Sequence, residues 1–264
     1  MTLHPGVRLD IQAGGAGKGM ADVLGRATDI GMVSRNIHET EFQKGAYTIP
    51  VAGDAVVPII SLKHPCLHQL KERGLTREEF QCIFLHGRCR KWNQLPGISC
   101  EQGIKVFTRS DAAGAPETWA QYLGVAQEDL LGVGVFGDPG LVEVISHDRF
   151  SIGFSNIAYV YNIASGKPYS GISPLPVDIN GNGRIDPEES IYDLLDDLND
   201  AIAKGIYPTP PARVLYFVTK DRPTNRIVIE FLKWVLNEGQ GMVGRLGFVA
   251  LDEATIEQAL SKLN

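Results

Sequence analysis

The chain has 264 residues, 44% of them hydrophobic and 21% charged, which is typical of a soluble globular protein with room for two lobes. Its 25 basic and 31 acidic residues give a formal net charge of −6, and this sign argues against a nucleic-acid binder. No apolar run approaches the ~18–20 residues that a membrane helix needs. The first residues lack the pattern of a secretory signal. We therefore expect an α/β or α+β fold.

Short apolar segments alternate with helical patterns along the chain. Strands are predicted at Val7–Gln12, Asp29–Val33, Ala55–Ser61, Ile104–Thr108, Ile152–Val160 and Val214–Val218. Helices are predicted at Thr76–Leu85, Pro116–Leu123 and Asn225–Leu236. Because strands and helices that alternate at this pace are typical of βαβ units, we expect an α/β fold with a mostly parallel sheet.

A glycine-rich turn, AGGAGKGM, follows the first predicted strand. It matches no nucleotide-binding motif, because Met20 replaces the last glycine of G-x-G-x-x-G and Gly19 follows Lys18 where a P-loop needs Ser or Thr. A glycine turn before a helix exposes backbone N–H groups at the positive end of the helix dipole, which suits a small anion. Gly15 is therefore a candidate anion-binding position, and a plain strand–helix connection is the open alternative.

The segment KVFTRSDAAGAPETW repeats this strand, turn and helix arrangement. Arg109 offers a planar fork that matches an oxyanion, and Asp111 is near enough in sequence to orient it. The backbone N–H groups of Gly114 and Ala115 would face the same point, and Ser34 adds a hydroxyl donor. A surface Arg–Asp pair beside a helix cap is the alternative. Two such turns, far apart in sequence, predict one oxyanion held between two lobes.

Several longer segments follow one another in a specific order: TDIGMVSR, AGDAVVPIIS, LTREEFQCIFLHGRCRKWNQL, FTRSDAAGAPETW and SIGFSNIAYV. The tail from Arg213 to Leu251 completes the series. In this order they resemble, over nearly the whole chain, the periplasmic phosphate-binding proteins of ABC transporters. The resemblance implies a two-lobed α/β fold of the type II periplasmic-binding-protein kind, with the ligand in the cleft. The lobes it implies are residues 1–60 with 165–264 (lobe I) and residues 61–164 (lobe II).

The same resemblance implies a function without catalysis. The chain would capture phosphate or a related tetrahedral oxyanion, outside the cytoplasm, and deliver it to the membrane subunits of an ABC permease. Two alternatives stay open. One is a binder of tungstate, molybdate or sulfate, and the other is a calcium-stabilised sensor or interaction protein of the same fold that has lost phosphate binding.

Site residues are carried over position by position. The resemblance makes Ser34 a hydroxyl donor, Arg109 the cationic clamp and Gly114 an amide donor. It makes Asp54 the acceptor of the hydrogen of a protonated phosphate. A carboxylate repels an oxyanion unless a proton lies between them, so such a site prefers hydrogen phosphate to sulfate.

The chain also departs from the family pattern. Ala113 and Ala115 stand where the family has a Ser and a Thr that donate hydroxyl groups to the anion. The family also has an additional strand, a loop bearing Ser or Thr, and a helix before the segment that matches Val7. We therefore expect an anion site with fewer donors than the family pattern provides.

The segment DINGNGRIDPEE matches the twelve-residue EF-hand pattern of calcium-binding loops. Gly183 stands at position 6, where the turn requires glycine, and Ile185 stands at position 8. The oxygen ligands that the pattern assigns are the side chains of Asp178, Asn180, Asn182, Asp186 and Glu189 and the backbone carbonyl of Arg184. Because a single loop has only three carboxylates, we expect a structural calcium ion and no signalling switch. A polar Asn-Gly turn is the alternative.

Four cysteines lie within 35 residues: Cys66, Cys82, Cys89 and Cys100. An even count in a family that works outside the cytoplasm is compatible with two disulfides, whose three pairings the sequence does not distinguish. Free buried thiols are a second alternative. A zinc site with His64, His68 or His86 is a third, although no C-x-x-C spacing supports it.

Overall fold

The computed structural model describes residues 6–264, which form seven strands and eleven α-helices. The strands are Gly31–Val33 (β1), Ala46–Ser61 (β2), Lys105–Arg109 (β3), Val133–Val135 (β4), Ser151–Asn156 (β5), Ile172–Pro174 (β6) and Ala212–Lys220 (β7). The helices are Ala16–Leu24 (α1), Glu39–Gln43 (α2), Leu67–Arg73 (α3), Arg77–Phe84 (α4), Gly114–Leu123 (α5), Gly137–His147 (α6), Ile157–Val160 (α7), Leu195–Ala203 (α8), Arg226–Leu236 (α9), Gln240–Val243 (α10) and Glu253–Leu263 (α11). Among the described residues, no helix is long and apolar enough to span a bilayer.

The sheet is organised around β2, a strand of 16 residues. The strand order is β1-β7-β2-β5-β3-β4, and β6 also pairs with β2. The first part of β2 pairs with β7 from Ala46 to Ala55, and the second part pairs with β5 and β6 from Val56 to Ser61. A single continuous strand therefore serves both halves of the molecule.

The prediction of a mostly parallel sheet is wrong. Within residues 6–264, four of the six strand pairings are antiparallel, because β5, β6 and β7 all run past β2 in the opposite direction and β1 runs opposite to β7. The two parallel pairings of the described strands both involve β3, which lies between β4 and β5. These three strands are joined by the helices α5 and α6, which is the βαβ arrangement that the sequence pattern indicates.

Three hydrophobic clusters fill the interior. The largest contains buried side chains from Ala55 to Ala212 and packs around β2, β3 and β5. The two smaller clusters lie on opposite faces of the β1-β7-β2 part of the sheet, one against α1 and the other against α9 and α11. Consecutive β7 residues, Phe217 and Val218, belong to different clusters, as the alternation of side chains along a strand requires.

The predicted lobes, residues 1–60 with 165–264 and residues 61–164, stay a prediction. The side chains of Leu175 and Tyr207 are fully buried in the largest cluster, together with residues from the second predicted lobe. Because a domain is defined by its own hydrophobic core, this packing favours a division in which residues 55–212 form one unit.

Capping and spacing located the helices well. The predicted helices α4, α5 and α9 are confirmed, with bounds that differ by one or two residues. The capping box at the start of α4 is formed, because Thr76 Oγ1 accepts from the N–H of Glu79 at 3.3 Å and Glu79 Oε2 accepts from the N–H of Thr76 at 3.0 Å.

One strand prediction is wrong, and a second strand is shorter than its predicted range. Residues 7–12 belong to no strand, and Leu9 and Ile11 are 49% and 77% exposed, because no described strand runs beside this segment to pair with it. The predicted strand Ile152–Val160 ends at Asn156, and the short helix α7 follows it.

Two disulfides join the four cysteines, Cys66 with Cys100 and Cys82 with Cys89. The disulfide interpretation is confirmed, and the structure selects one of its three pairings. Because no cysteine is free, the alternatives of buried thiols and of a zinc site are wrong. Both bonds fasten the helices α3 and α4 to the irregular segment that precedes β3.

Candidate functional site

Two helices begin beside each other, and neither has a side-chain cap. α1 begins at Ala16 after Gly15. α5 begins at Gly114 after Ala113. The two turns are in contact, because a Cβ atom added to Gly15 would lie 3.1 Å from the carbonyl oxygen of Ala112. Uncapped N–H groups and aligned peptide dipoles make each helix start partly positive, so two starts that meet suit a small anion.

Ser34 lies against the start of α5. A Cβ atom added to Gly114 would overlap with Oγ of Ser34 and would lie 2.5 Å from the Ser34 carbonyl oxygen and 2.8 Å from Nη1 of Arg213. This close approach is the reason for a glycine at position 114. Ala115 is 2% exposed, and its N–H group belongs to the same uncapped first turn.

Arg109 ends β3, is 8% exposed and is held by two carboxylates. Its Nε and Nη2 atoms donate to the two carboxylate oxygens of Asp111 at 2.8 and 2.5 Å, and Nη1 donates to Asp138 at 2.5 Å. The hydrogen bond from Arg109, with a further one from the N–H of Gly137, lowers the pKa of Asp111 to about 2. Asp111 is therefore ionised at neutral pH and orients the guanidinium fork.

Asp54 and Arg213 form a buried ion pair between β2 and β7. The two residues are directly opposite each other in the strand register, and they are 3% and 8% exposed. Nε and Nη2 of Arg213 donate to Oδ2 of Asp54 at 3.1 and 2.6 Å, and Nη1 donates to Thr118 of α5 at 3.1 Å. Oδ1 of Asp54 is buried and has no hydrogen-bond partner among residues 6–264. A buried acceptor of this kind is costly unless a ligand supplies the donor.

Asn156 joins the two arginines into one network. Its Oδ1 accepts from Nη2 of Arg213 at 2.5 Å, and its Nδ2 donates to Oδ2 of Asp138 at 3.1 Å. The same oxygen of Asp138 accepts from Arg109. A continuous chain of hydrogen bonds therefore runs from Asp54 through Arg213, Asn156 and Asp138 to Arg109.

A second set of charges crosses from the segment after β1 to α5. Arg35, next to Ser34, donates to both carboxylate oxygens of Glu41 at 2.9 and 2.7 Å, and its Nε lies 3.5 Å from Glu117. The hydrogen bond from Arg35 lowers the pKa of Glu41, whereas burial raises the pKa of Glu117. These contacts help to hold α5 against the residues that follow β1.

The structure brings together all the residues that the sequence predicts for the anion site: Gly15, Ser34, Asp54, Arg109, Asp111, Gly114 and Ala115. Their roles towards a ligand stay predictions. Sequence reasoning missed the residues that connect them: Arg35, Glu117, Asp138, Asn156 and Arg213. Only Arg213 carried a readable signal, because it is a lone charge inside the apolar strand ARVLYFV.

The predicted calcium loop is compact and carries two buried carboxylates. Asp178 and Glu189 are 2% and 5% exposed. Asp178 accepts from the N–H groups of Gly181 and Gly183, both at 2.8 Å, and Glu189 accepts from the N–H of Ile179 at 2.9 Å. No Lys, Arg or His side chain of the described chain forms an ion pair with either carboxylate. Their charge is therefore balanced only by backbone dipoles.

The other predicted ligands lie on the same loop. Asp186 accepts from Nδ2 of Asn180 at 2.9 Å and from Nδ2 of Asn182 at 2.6 Å, and it pairs with Nε of Arg184 at 2.8 Å. Gly183 has a φ of 82°, the left-handed conformation that position 6 of the pattern requires. Within residues 6–264, no group of three or more His, Cys, Asp or Glu side chains is arranged to hold a metal ion. The calcium assignment stays a prediction.

The sheet topology and the meeting of the two helix starts are consistent with a two-lobed α/β binding protein, and the comparisons with known proteins agree. A family model described as a PBP superfamily domain matches residues 1–238. The chain therefore belongs to the PBP superfamily, and the resemblance identified from the sequence is confirmed.

The relatives with similar sequences are phosphate-binding proteins named PstS. The chain is 23% identical over 282 residues to the phosphate-binding protein PstS of Xylella fastidiosa, covering 96% of this chain and 76% of that protein. It is 25% identical over 289 residues to PstS of Pseudomonas aeruginosa, covering 99% and 80%. Among solved structures, a phosphate ABC transporter substrate-binding protein from Clostridium perfringens with bound phosphate matches with a TM-score of 0.74 and 20% identity, covering 95% of this chain and 90% of that chain. A phosphate transport receptor from Vibrio cholerae matches with a TM-score of 0.69 and 19% identity, covering 94% and 90%.

Replacing Gly114 with Ala should force α5 away from Ser34, because the new methyl group has no space. We expect the free energy of unfolding in urea to fall by about 1–3 kcal/mol, as for other overpacked sites. Gly17→Ala in α1 is the matched control, since a Cβ there would meet nothing within 4 Å. That control should be neutral or stabilising by up to about 1 kcal/mol. Equal effects of the two substitutions would contradict the close approach of α5 to Ser34.

Proposed function

We propose that the chain captures phosphate, or a closely related tetrahedral oxyanion, for an ABC transporter and performs no reaction on it. One feature of the site carries this proposal. Two uncapped helix starts meet, and the hydrogen-bond network that reaches the start of α5 through Arg213 contains the buried guanidinium of Arg109 and a buried carboxylate oxygen of Asp54 that has no donor. The names of the relatives, and the phosphate bound in the Clostridium perfringens structure, support the same reading.

The donors would act on the anion from several sides. The first-turn N–H groups of α1 and α5 point along their helix dipoles, and Ser34 adds a hydroxyl group. Arg109 adds a guanidinium that Asp111 and Asp138 hold in place, so little side-chain entropy is lost when the anion binds. Such a preorganised set of donors replaces the hydration shell of the anion.

Asp54 would give the site its preference for a protonated anion. Its free oxygen accepts a hydrogen bond from the O–H of hydrogen phosphate, whereas sulfate brings no hydrogen at neutral pH and would face a bare carboxylate. A site built to bond a particular O–H group rejects analogues that lack it by roughly 10⁴-fold. This argument favours phosphate over the alternative of a sulfate, tungstate or molybdate binder.

The alanines at 113 and 115 do not remove the site. Both positions lack a hydroxyl group, but the N–H of Ala115 remains available in the uncapped turn of α5. The alternative of a sensor that has lost phosphate binding requires an anion site without its donors. The two helix starts are in contact, Ser34 lies against the start of α5, and Arg109 is held by Asp111 and Asp138, so the donors that remain favour binding.

Two further observations support a location of the protein outside the cytoplasm and a partner in the membrane. Two disulfides are typical of proteins that fold in an oxidising compartment. The relatives are components of ABC transport systems by name, as in Clostridium perfringens and Vibrio cholerae. These observations support our proposal that the protein works in the periplasm or at the cell exterior, with the ABC permease as its partner.

Arg109→Lys tests the anion site, because lysine keeps the positive charge but loses the fork that Asp111 and Asp138 hold. Calorimetric titration with phosphate should show at least a tenfold loss of affinity, equivalent to about 1.4 kcal/mol. Lysine is preferable to alanine here, because alanine would leave the buried carboxylate of Asp138 and the half-buried carboxylate of Asp111 without their cation. Arg226→Lys, at a side chain that is 90% exposed, is the control and should bind as the parent protein does. Unchanged phosphate affinity in Arg109→Lys would contradict the assignment of the cleft.

We propose in addition that residues 178–189 hold a structural calcium ion. The specific observation in favour is the pair of buried carboxylates, Asp178 and Glu189, that no cationic side chain of the described residues neutralises. A divalent cation with oxygen ligands would balance them. The loop also fastens two parts of the fold, because Ile185 donates its N–H to the carbonyl of Glu72 at 2.8 Å and Asp178 donates its N–H to the carbonyl of Leu75 at 3.0 Å. An ion there would stabilise this junction.

Saturating calcium should raise the melting temperature, because the folded loop binds the ion and the unfolded chain does not. At a concentration one hundred times the Kd, the expected gain in unfolding free energy is about 2.7 kcal/mol. Excess chelator should remove the gain. Glu189→Gln should largely abolish the response, whereas Glu188→Gln, at the exposed neighbouring position, should retain it. A melting temperature that changes neither with calcium nor with chelator would show that the loop is an ordinary polar turn.

A further inference from the structure

We propose that Arg213 is a positioning residue that sets the selectivity of the anion site through Asp54. This inference rests on the proposed oxyanion binding and deepens it. Arg213 belongs to β7, outside the turns that carry the predicted anion-binding groups, and the sequence predictions did not assign it a role. Its importance follows from where its five N–H groups are directed.

Four of those N–H groups are used in the described contacts. Two bind one oxygen of Asp54, one binds Asn156 and one binds Thr118. The Asp54 oxygen that is bound is Oδ2, and Oδ1 is the one left without a partner. The guanidinium therefore holds Oδ2 of Asp54 from two N–H groups and determines which carboxylate oxygen stays available.

The backbone reinforces this arrangement. Asp54 and Arg213 are directly opposite each other in the antiparallel register of β2 and β7, two residues before β2 begins to pair with β5. Cross-strand partners have Cβ atoms about 4.5–5.5 Å apart. The backbone pairing therefore already brings the two side chains within reach of each other. Asn156 and Thr118 hold the far side of the guanidinium, which prevents it from turning away from Asp54.

Charge explains why the pair governs selectivity. The guanidinium of Arg213 balances the negative charge of the buried Asp54 carboxylate. A carboxylate only accepts hydrogen bonds, so the ligand has to supply the hydrogen. Without Arg213 the carboxylate would be buried and unpaired, and no guanidinium would hold its Oδ2 in place. The carboxylate could then turn away from the ligand, and sulfate would no longer face a fixed acceptor. Loss of Arg213 should therefore weaken the discrimination between the two anions.

The test compares the ratio of sulfate Kd to phosphate Kd, measured by calorimetry at one pH, in four proteins: the parent, Arg213→Gln, Asp54→Asn and the double variant. We expect a ratio of roughly 10⁴ in the parent. It should fall at least tenfold in Arg213→Gln. Because Arg213 acts through Asp54, the double variant should have the same ratio as Asp54→Asn. If Arg213→Gln does not fold, Arg213→Lys replaces it, since lysine keeps the charge but not the two-point hold.

Arg73→Gln is the matched control for a structural effect. Arg73 binds both oxygens of Glu79 at 2.9 and 2.5 Å in a similarly shielded pair away from the cleft. Its loss should lower the urea midpoint of unfolding but leave the anion ratio unchanged. A fall in both affinities with an unchanged ratio in the Arg213 variant would overturn the inference and leave phosphate binding intact. A parent protein that binds no oxyanion would overturn the proposed function itself.

Discussion

The position of Asp54 on β2 is the constraint on which the rest of the molecule depends. The first part of β2 pairs with β7 and ends at Ala55, and the pairing with β5 begins at Val56. A charged residue at this point is 3% exposed, and an isolated carboxylate there would be strongly unfavourable. Arg213 from β7 supplies the opposite charge, and its remaining hydrogen bonds reach α5 and Asn156. The need to satisfy one buried charge therefore ties together strands and helices from both halves of the chain.

The same network gives the cleft its rigidity. Arg109 is anchored through Asp138 and Asn156 to the Asp54–Arg213 pair, so the cation and the acceptor that would face a ligand belong to one hydrogen-bonded unit. In a low-dielectric interior, hydrogen-bond networks of this kind hold side chains in a single arrangement, and Oδ1 of Asp54 is the acceptor of this network that has no partner among the described residues. Discrimination between oxyanions requires side chains held in fixed positions, because hydrogen phosphate and sulfate have the same shape and differ in the presence of an O–H group.

Sequence reasoning succeeded where local chemistry decides the structure. The capping box at Thr76, the glycine turn at Gly15 and the Arg109–Asp111 pair all depend on residues within a few positions of each other, and all three are present. It failed where long-range pairing decides. The direction of β5, β6 and β7 relative to β2, and the absence of a partner for residues 7–12, depend on residues far away in the chain. The roles of Arg213 and Asn156 were missed for the same reason, since their contacts span more than fifty residues.

The disulfides also show that a sequence pattern does not determine long-range pairing. An even number of clustered cysteines indicates bonds, but the pairing of Cys66 with Cys100 depends on how the segment before β3 folds back on α3. The loop at residues 178–189 is a different case, because its pattern is entirely local, and the calcium ion that the pattern indicates stays a prediction.

The central claim is that the two helix starts and the Asp54–Arg213 pair form one oxyanion site. A crystal structure of the protein grown with phosphate tests it most directly. The account predicts phosphate between the starts of α1 and α5, contacted by Arg109 and Ser34, with one phosphate oxygen at about 2.5–2.7 Å from Oδ1 of Asp54 and Arg213 still on Oδ2. Phosphate bound elsewhere, or bound in the cleft with Asp54 turned away from it, would contradict the account.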